Sequence, residues 1–294
     1  MMKKKRPVVV SFPESRGFAE TLAHKSGKPH SCLRLEKFPD RETHLLFRTD
    51  VEGRKVFLVR SLDDPDKKLI EVLFAAHTAK ELGAKQVVLV APYLCYMRQD
   101  KRFMEGEAVS SRIIAGLFNE CLDGLITVDP HLHRYKNLND IFTMKTKRLT
   151  AVKPIAEFLK RKVKNPFVFG PDEESYQWAS KVAGIMGCEA DVLRKRRYSS
   201  ETVMIDIKEK YDLKKRGVII VDDVISTGHT MIEVIKDVKK LGARKIYCVC
   251  THGIFAQDSL KKIKKLGAVV YTTNTVKNNA SKVDITGLLA KEIR

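Results

Sequence analysis

The chain has 294 residues, 44% hydrophobic and 31% charged, with a formal net charge of +19. That length suits two ordinary domains or one large one, and the composition is that of a soluble globular protein with a sizeable core. No apolar run approaches the roughly 20 residues of a membrane helix, and Val8–Val10 behind the basic Met1–Arg6 is too short for a signal-peptide core.

The first candidate strand is therefore Val8–Phe12, behind a solvated basic tail. Further short apolar runs follow at Lys55–Arg60, Gln86–Pro92, Gly124–Asp129, Pro166–Gly170, Gly217–Asp222, Lys245–Cys250 and Ala268–Thr272. Between them lie helical stretches at Lys67–Leu82, Glu107–Cys121, Val152–Lys162, Glu174–Met186 and Met231–Leu241. Continuous Val/Ile/Leu runs suit parallel strands covered on both faces, so the class is α/β with crossover helices. An internal echo supports two similar domains, 1–150 and 151–294. Lys80-Glu-Leu-Gly-Ala-Lys85 leads into Val87–Val90, and Lys239-Lys-Leu-Gly-Ala-Arg244 leads into Ile246–Val249. Each reads as a helix ended by glycine before a buried strand.

Six scattered cysteines without a CxxC pair read as free thiols in a reducing cytoplasm. The basic excess admits nucleic-acid binding or a solvated surface that attracts a polyanionic substrate. Lys and Arg are spread along the whole chain, with a modest cluster at Arg194–Arg197 and no zinc-finger or RNA-binding aromatic signature. The second reading is preferred, and neither nucleic acid nor membrane is expected as a partner.

The segment Val218–Thr230 carries the most chemistry. Four apolar residues give a buried strand, then Asp222 and Asp223 stand at its C-terminal end, where open α/β sheets bind ligands. Ser226, Thr227, Gly228, His229 and Thr230 then open a helix, whose hydroxyls and successive N–H groups make an anion cradle. Carboxylates beside a phosphate cradle describe a ribose-phosphate site. The pattern resembles the phosphoribosyl-binding motif of the phosphoribosyltransferase fold, with His229 where that family usually has a second glycine.

Other segments supply a second substrate side. Tyr96-Met-Arg98-Gln99-Asp100-Lys101-Arg102-Phe103-Met-Glu-Gly106-Glu107 is a cationic segment after a strand, suited to neutralising polyphosphate. Here the chain resembles ribose-phosphate diphosphokinases (PRPP synthetases), particularly the shorter archaeal-type members, and the likeness runs from about Phe38 to the C-terminus. By that resemblance Arg98, Gln99, Asp100 and His131, the last in Asp129-Pro-His131, bind ATP. Phe38, Asp40 and Glu42 hold adenine, usually across a subunit interface, with Arg41 replacing a glycine. His131 and Asp172 serve the metal, and Lys195 and Arg197 stabilise the transferring phosphates. The resemblance implies Mg2+ as cofactor, ATP and ribose 5-phosphate as substrates, PRPP and AMP as products, and a homodimer or higher oligomer. A phosphoribosyltransferase and a non-catalytic PRPP-binding homologue are the alternatives.

Overall fold

The computed structural model describes residues 5–132, 134–193 and 212–293. The chain forms two compact units, one of Met1–Leu149 with Thr286–Arg294 and one of Thr150–Ile285.

In the first unit the order is β1 (Val8–Ser11), α1 (Arg16–Ser26), β2 (His30–Cys32), β3 (Arg34–Lys37), β4 (Thr43–Leu46), β5 (Lys55–Val59), α2 (Pro65–Glu81), β6 (Gln86–Ala91), α3 (Ser110–Cys121), β7 (Gly124–Val128) and β8 (Lys145–Leu149). The second contains α4 (Val152–Lys160), β9 (Pro166–Gly170), α5 (Tyr176–Met186), β10 (Glu189–Val192), β11 (Gly217–Ile225), α6 (His229–Lys240), β12 (Lys245–Gly253), α7 (Ser259–Lys265), β13 (Val269–Thr273) and β14 (Ser281–Val283). A last helix, α8 (Thr286–Ala290), returns to the first unit.

Each unit is built on a six-stranded sheet, in the order β2-β1-β5-β6-β7-β8 in one and β10-β9-β11-β12-β13-β14 in the other. The two orders are the same when strands are counted within each unit, and every pairing in both sheets is parallel. The duplication read from the Leu-Gly-Ala echo is thus a repeated topology. Gly83 and Gly242, which follow α2 and α6, both have left-handed φ values of 81° and 93°.

The continuous apolar strands fill the cores: Val56, Phe57, Leu58, Leu89 and Leu125 in one unit, and Phe167, Phe169, Ile220 and Cys248 in the other, are buried. Strands without such runs escape the sequence reading. The edge strand β8 reads Lys-Thr-Lys-Arg-Leu and buries only Leu149, because an edge strand needs little apolar cover. The second compact unit ends at Ile285, whereas the expected domain ran 151–294. Residues 286–294 pack with the first unit, where α8 lies on α1. Leu289 and Ile293 are buried there, Lys25 Nζ donates to Thr286 Oγ1 at 2.8 Å, and Lys147 pairs with Glu292 at 3.4 Å.

Candidate active site

In the second unit, β9 and β11 are neighbours in register, with Phe169 opposite Ile220. Their order places the reversal of strand direction of travel across the sheet between them, the crevice where open α/β sheets take ligands. Asp172 follows β9 and Asp222 lies near the C-terminal end of β11, so both carboxylates rise from this crevice. Asp222 is half-buried and Asp223 is 3% exposed. The Asp223 N–H donates to Asp222 Oδ1 at 2.9 Å. Burial, then the carboxylates of Asp223 and Asp172, hold the Asp222 carboxyl well above the usual carboxylate range. The carboxylates of Asp223 and Asp172 near Asp222 favour a proton or sugar hydroxyl donors there. Asp172 is fixed by an Asx-type turn, its Oδ1 accepting from Ser175 N–H and Oγ, each at 2.8 Å.

Beyond β11 the chain turns through Ser226–Gly228 into α6. Gly228 has φ 73°. A Cβ there would lie 2.9 Å from Ser259 Cβ and 3.2 Å from Ile263 Cδ1. The loop is therefore pressed onto α7, and Ser259 Oγ donates to Ser226 O at 2.7 Å to hold it. Among the described residues the hydroxyls of Ser226, Thr227 and Thr230 make no hydrogen bond. They surround the start of α6, whose leading N–H groups have no intrahelical acceptor. His229 is exposed and begins the helix.

In the first unit the adjacent strands β6 and β7 carry the other predicted residues on the loops after their C-terminal ends. Tyr96 anchors the loop after β6 by donating from its hydroxyl to Asp66 Oδ1, a bond that raises the phenol to about 12. Arg98 is exposed and has no partner among the described residues. Gln99 Oε1 accepts from Ser110 Oγ at 2.8 Å. Asp100 is 4% exposed, and its two oxygens accept from the Arg134 guanidinium at 2.9 Å and the Arg134 N–H at 3.2 Å. It ties the loop after β6 to the loop after β7. The loop tip is closed by Glu107, whose Oε2 accepts from Phe103 N–H at 2.8 Å and Met104 N–H at 3.2 Å. His131 is half-buried on the loop after β7, beside buried Asp129, whose N–H donates to Leu149 O at 2.9 Å.

The antiparallel β3–β4 hairpin carries the third group. Phe38 is 49% exposed, with its ring centroid 5.2 Å from that of His44. Asp40 Oδ1 accepts from Glu42 N–H at 3.1 Å, and Glu42 is exposed. Lys195 and Arg197 lie outside the described residues.

Comparison with known proteins shows the family and the fold. Residues 8–121 match the family model for the N-terminal domain of ribose phosphate pyrophosphokinase, and residues 140–287 match the phosphoribosyl transferase domain. A ribose-phosphate pyrophosphokinase of Methanothermobacter thermautotrophicus is 33% identical over 286 residues, covering 96% of this chain and 98% of the relative. The chain belongs to the ribose-phosphate pyrophosphokinase family. Another member, from Pyrococcus furiosus, is 33% identical over 262 residues, covering 89% of this chain and 92% of its own. The crystal structure of phosphoribosylpyrophosphate synthetase from Mycobacterium smegmatis superposes with a TM-score of 0.83 over 99% of this chain and 98% of that one, at 24% identity, and so shares the fold.

Two departures from the family pattern resolve differently. His229 sits in helical backbone, and the left-handed position belongs to Gly228 alone, so position 229 needs no glycine. Arg41 does occupy a left-handed position, φ 73°, which costs a side chain about 1–2 kcal/mol, less the unfolded-chain entropy that glycine would restore, about 0.4–1 kcal/mol. Arg41→Gly should therefore stabilise the protein by about 0.5–1 kcal/mol, read as a higher unfolding midpoint in denaturant. A lower midpoint would show that the Arg41 side chain compensates its backbone.

Arg134 and Ser259 are the structurally prominent residues that sequence reasoning missed. Neither has a local signal, since each acts on a loop more than thirty residues away. Asp100→Ala should strip Arg134 of both acceptors and lower turnover about tenfold or more, given about 1.5–3 kcal/mol for hydrogen bonds to charged groups. Asp100→Asn, which keeps one acceptor for the Arg134 N–H, should recover part of it. Steady-state kinetics showing full activity in Asp100→Ala would remove the brace from the site.

Proposed function

We propose that this chain transfers the diphosphoryl group of ATP to the C1 hydroxyl of ribose 5-phosphate, giving PRPP and AMP for nucleotide biosynthesis. The observation that carries the reading is the open hydroxyl and amide cradle at 226–230 beside the carboxylates of Asp222 and Asp223. Ser226 to Thr230 bind the 5-phosphate, with the start of α6 supplying backbone donors. Asp222 and Asp223 accept from the ribose hydroxyls and orient C1. The C1 oxygen attacks the β-phosphorus in line, the bond from that phosphorus to the α-phosphate oxygen breaks, AMP leaves, and the hydroxyl proton is lost to the medium. Phe38, Asp40 and Glu42 bind the adenine, and Arg98, Gln99 and His131 the ATP. Asp100 supports these through Arg134. Lys195 and Arg197 offset charge on the transferring phosphates, where such stabilisation is commonly the largest catalytic term.

Among the described residues no group of three His, Cys, Asp or Glu is arranged to hold a metal ion. The cofactor proposed is Mg2+, which keeps its waters and takes one or two carboxylates plus substrate phosphates. The resemblance assigns metal binding to Asp172 in the second unit and to His131 in the first, and when bound Mg2+ neutralises phosphate charge. The adenine hairpin, shared between subunits in the resemblance, implies at least a dimer. The free cysteines fit a reducing cytoplasm.

A coupled assay should release AMP only when ATP and ribose 5-phosphate are both present, and EDTA should stop it. Base-dependent consumption of PRPP without AMP release from ATP would make the chain a phosphoribosyltransferase, and PRPP binding without turnover would make it a regulatory homologue. Neither alternative is favoured by the family membership.

A further inference from the structure

The net charge of +19 is not absorbed by the site above. In sequence the basic residues are dispersed, but in the second unit the fold collects many of them on one rim. Four helix ends and connectors lead into the sheet at its N-terminal edge: 160–164 before β9, 214–216 before β11, 239–245 before β12, and 261–265, the C-terminal part of α7, before β13. Together these segments hold 15 Lys or Arg and no Asp or Glu. They enter adjacent strands, because β9, β11, β12 and β13 are consecutive in the sheet. Gly217 is level with both Pro166 and Lys245. The connectors also touch. Gly217 N–H donates to Asn165 O at 3.0 Å, a Cβ on Gly242 would lie 3.0 Å from Lys214 Cγ, and one on Gly267 would lie 3.9 Å from Lys239 Nζ.

Helix C-termini attract one or two cations each through their dipoles, and a solvated surface tolerates scattered lysine. Neither explains this density. All fifteen except half-buried Arg216 are exposed. Among the described residues Arg216, Lys240 and Lys261 form ion pairs, with Glu189, Asp237 and Asp258, and Asp258 also attracts Lys262 and Lys265. The rim lies at the opposite end of the nine-residue β11 from Gly228, about 30 Å away at roughly 3.3 Å per residue, too far to touch a substrate on the phosphate cradle.

We infer that this rim is a docking surface for the phosphodiester backbone of double-helical nucleic acid. Three strand spacings of about 4.8 Å make a rigid cationic edge about 14 Å wide, and a duplex presents one negative charge per roughly 1.7 Å of axis. No aromatic side chain lies in the four connectors, so there is no platform on which unpaired bases would stack. Their apolar residues Val163, Leu241 and Ile263 are buried, which leaves nothing there to insert into a lipid surface. This proposal departs from the sequence expectation of no nucleic-acid partner because the fold gathers the charge on one rim.

The test is fluorescence anisotropy of labelled 20-base-pair RNA and DNA duplexes with the full chain from 50 to 200 mM salt. Binding of either duplex should weaken with a log–log slope of about −4 or steeper, since each phosphate contact contributes about −0.9. The combined variant Lys215→Gln, Arg244→Gln, Lys262→Gln and Lys265→Gln should bind at least tenfold more weakly at 50 mM salt, with an unchanged thermal midpoint. A control removing equal charge elsewhere, Arg48→Gln, Lys85→Gln, Lys153→Gln and Lys181→Gln, should bind nearly as the parent does. No duplex binding at 50 mM salt, equal loss in the control, or tighter binding to single strands or to phosphatidylserine vesicles than to duplex would each overturn the proposal.

Discussion

Replacing Asp222 with asparagine should make the ligand-free protein harder to unfold and nearly inactive. In the folded chain burial, Asp223 and Asp172 all disfavour ionised Asp222. Its carboxyl is therefore raised above the unfolded value of about 3.9. Between those two values the folded state binds more protons than the unfolded state, so stability falls as pH rises through that window, and the full loss persists above it. Asparagine cannot ionise, and its Oδ1 can still accept from the Asp223 N–H that now bonds Asp222 Oδ1. The variant should match the parent near pH 4 and unfold at a higher temperature at pH 8, by roughly 2–4 °C for each kcal/mol relieved. Function should move the other way. A sugar hydroxyl loses a charged acceptor worth about 1.5–3 kcal/mol, and the cation balance of the site is lost as well. Together these should lower kcat/KM for ribose 5-phosphate by about 10²–10³. Thermal scans at the two pH values, with kinetics at the upper one, check both halves. A lower midpoint at pH 8 would mean that Asp222 is ionised and satisfied in the ligand-free state.

Gly228→Ala should cost about 10² in kcat/KM for ribose 5-phosphate, through two separable causes. The first is backbone, since φ 73° is a left-handed conformation that costs alanine about 1–2 kcal/mol. The second is contact, because the new Cβ would meet Ser259 Cβ at 2.9 Å and Ile263 Cδ1 at 3.2 Å. Either the loop lifts from α7 or α7 shifts, and both break the bond from Ser259 Oγ to Ser226 O. The double variant Gly228→Ala with Ser259→Gly removes the closer contact, keeps the backbone cost and lacks the Ser259 Oγ bond, so affinity regained over the single variant measures the contact alone. Ribose 5-phosphate titration by calorimetry separates binding from turnover. Unchanged affinity in the single variant would show that the loop does not hold the phosphate.

Much of the architecture was legible because buried parallel strands are written as unbroken Val/Ile/Leu runs. Eight such runs correspond to strands at the centre of the two sheets or beside it, though β11 and β12 continue three residues beyond the expected ends, through Ile225 and Gly253. The extension includes Asp223, Thr251 and His252, polar residues that only neighbouring strands can carry in register, with Val224 opposite His252. The hairpin β3–β4 and the edge strands β2, β8, β10 and β14 were not foreseen. They are short and mostly part-exposed, so hydrophobic periodicity leaves little mark on them.

The sequence by itself determined the α/β class, the duplicated plan and the residue types at the candidate site, because these depend on local pattern: apolar runs, glycine-ended helices, and carboxylates next to a Ser-Thr-Gly turn. Only the tertiary structure decided how those residues stand toward one another. It turned Asp100 inward onto Arg134, pinned the phosphate loop with Ser259, put left-handed strain on Arg41, and returned α8 to the first unit. It also brought four separate basic connectors onto one rim. Each of these depends on contacts between segments far apart in the chain, and such contacts are fixed by strand order and packing rather than by any local pattern of residues.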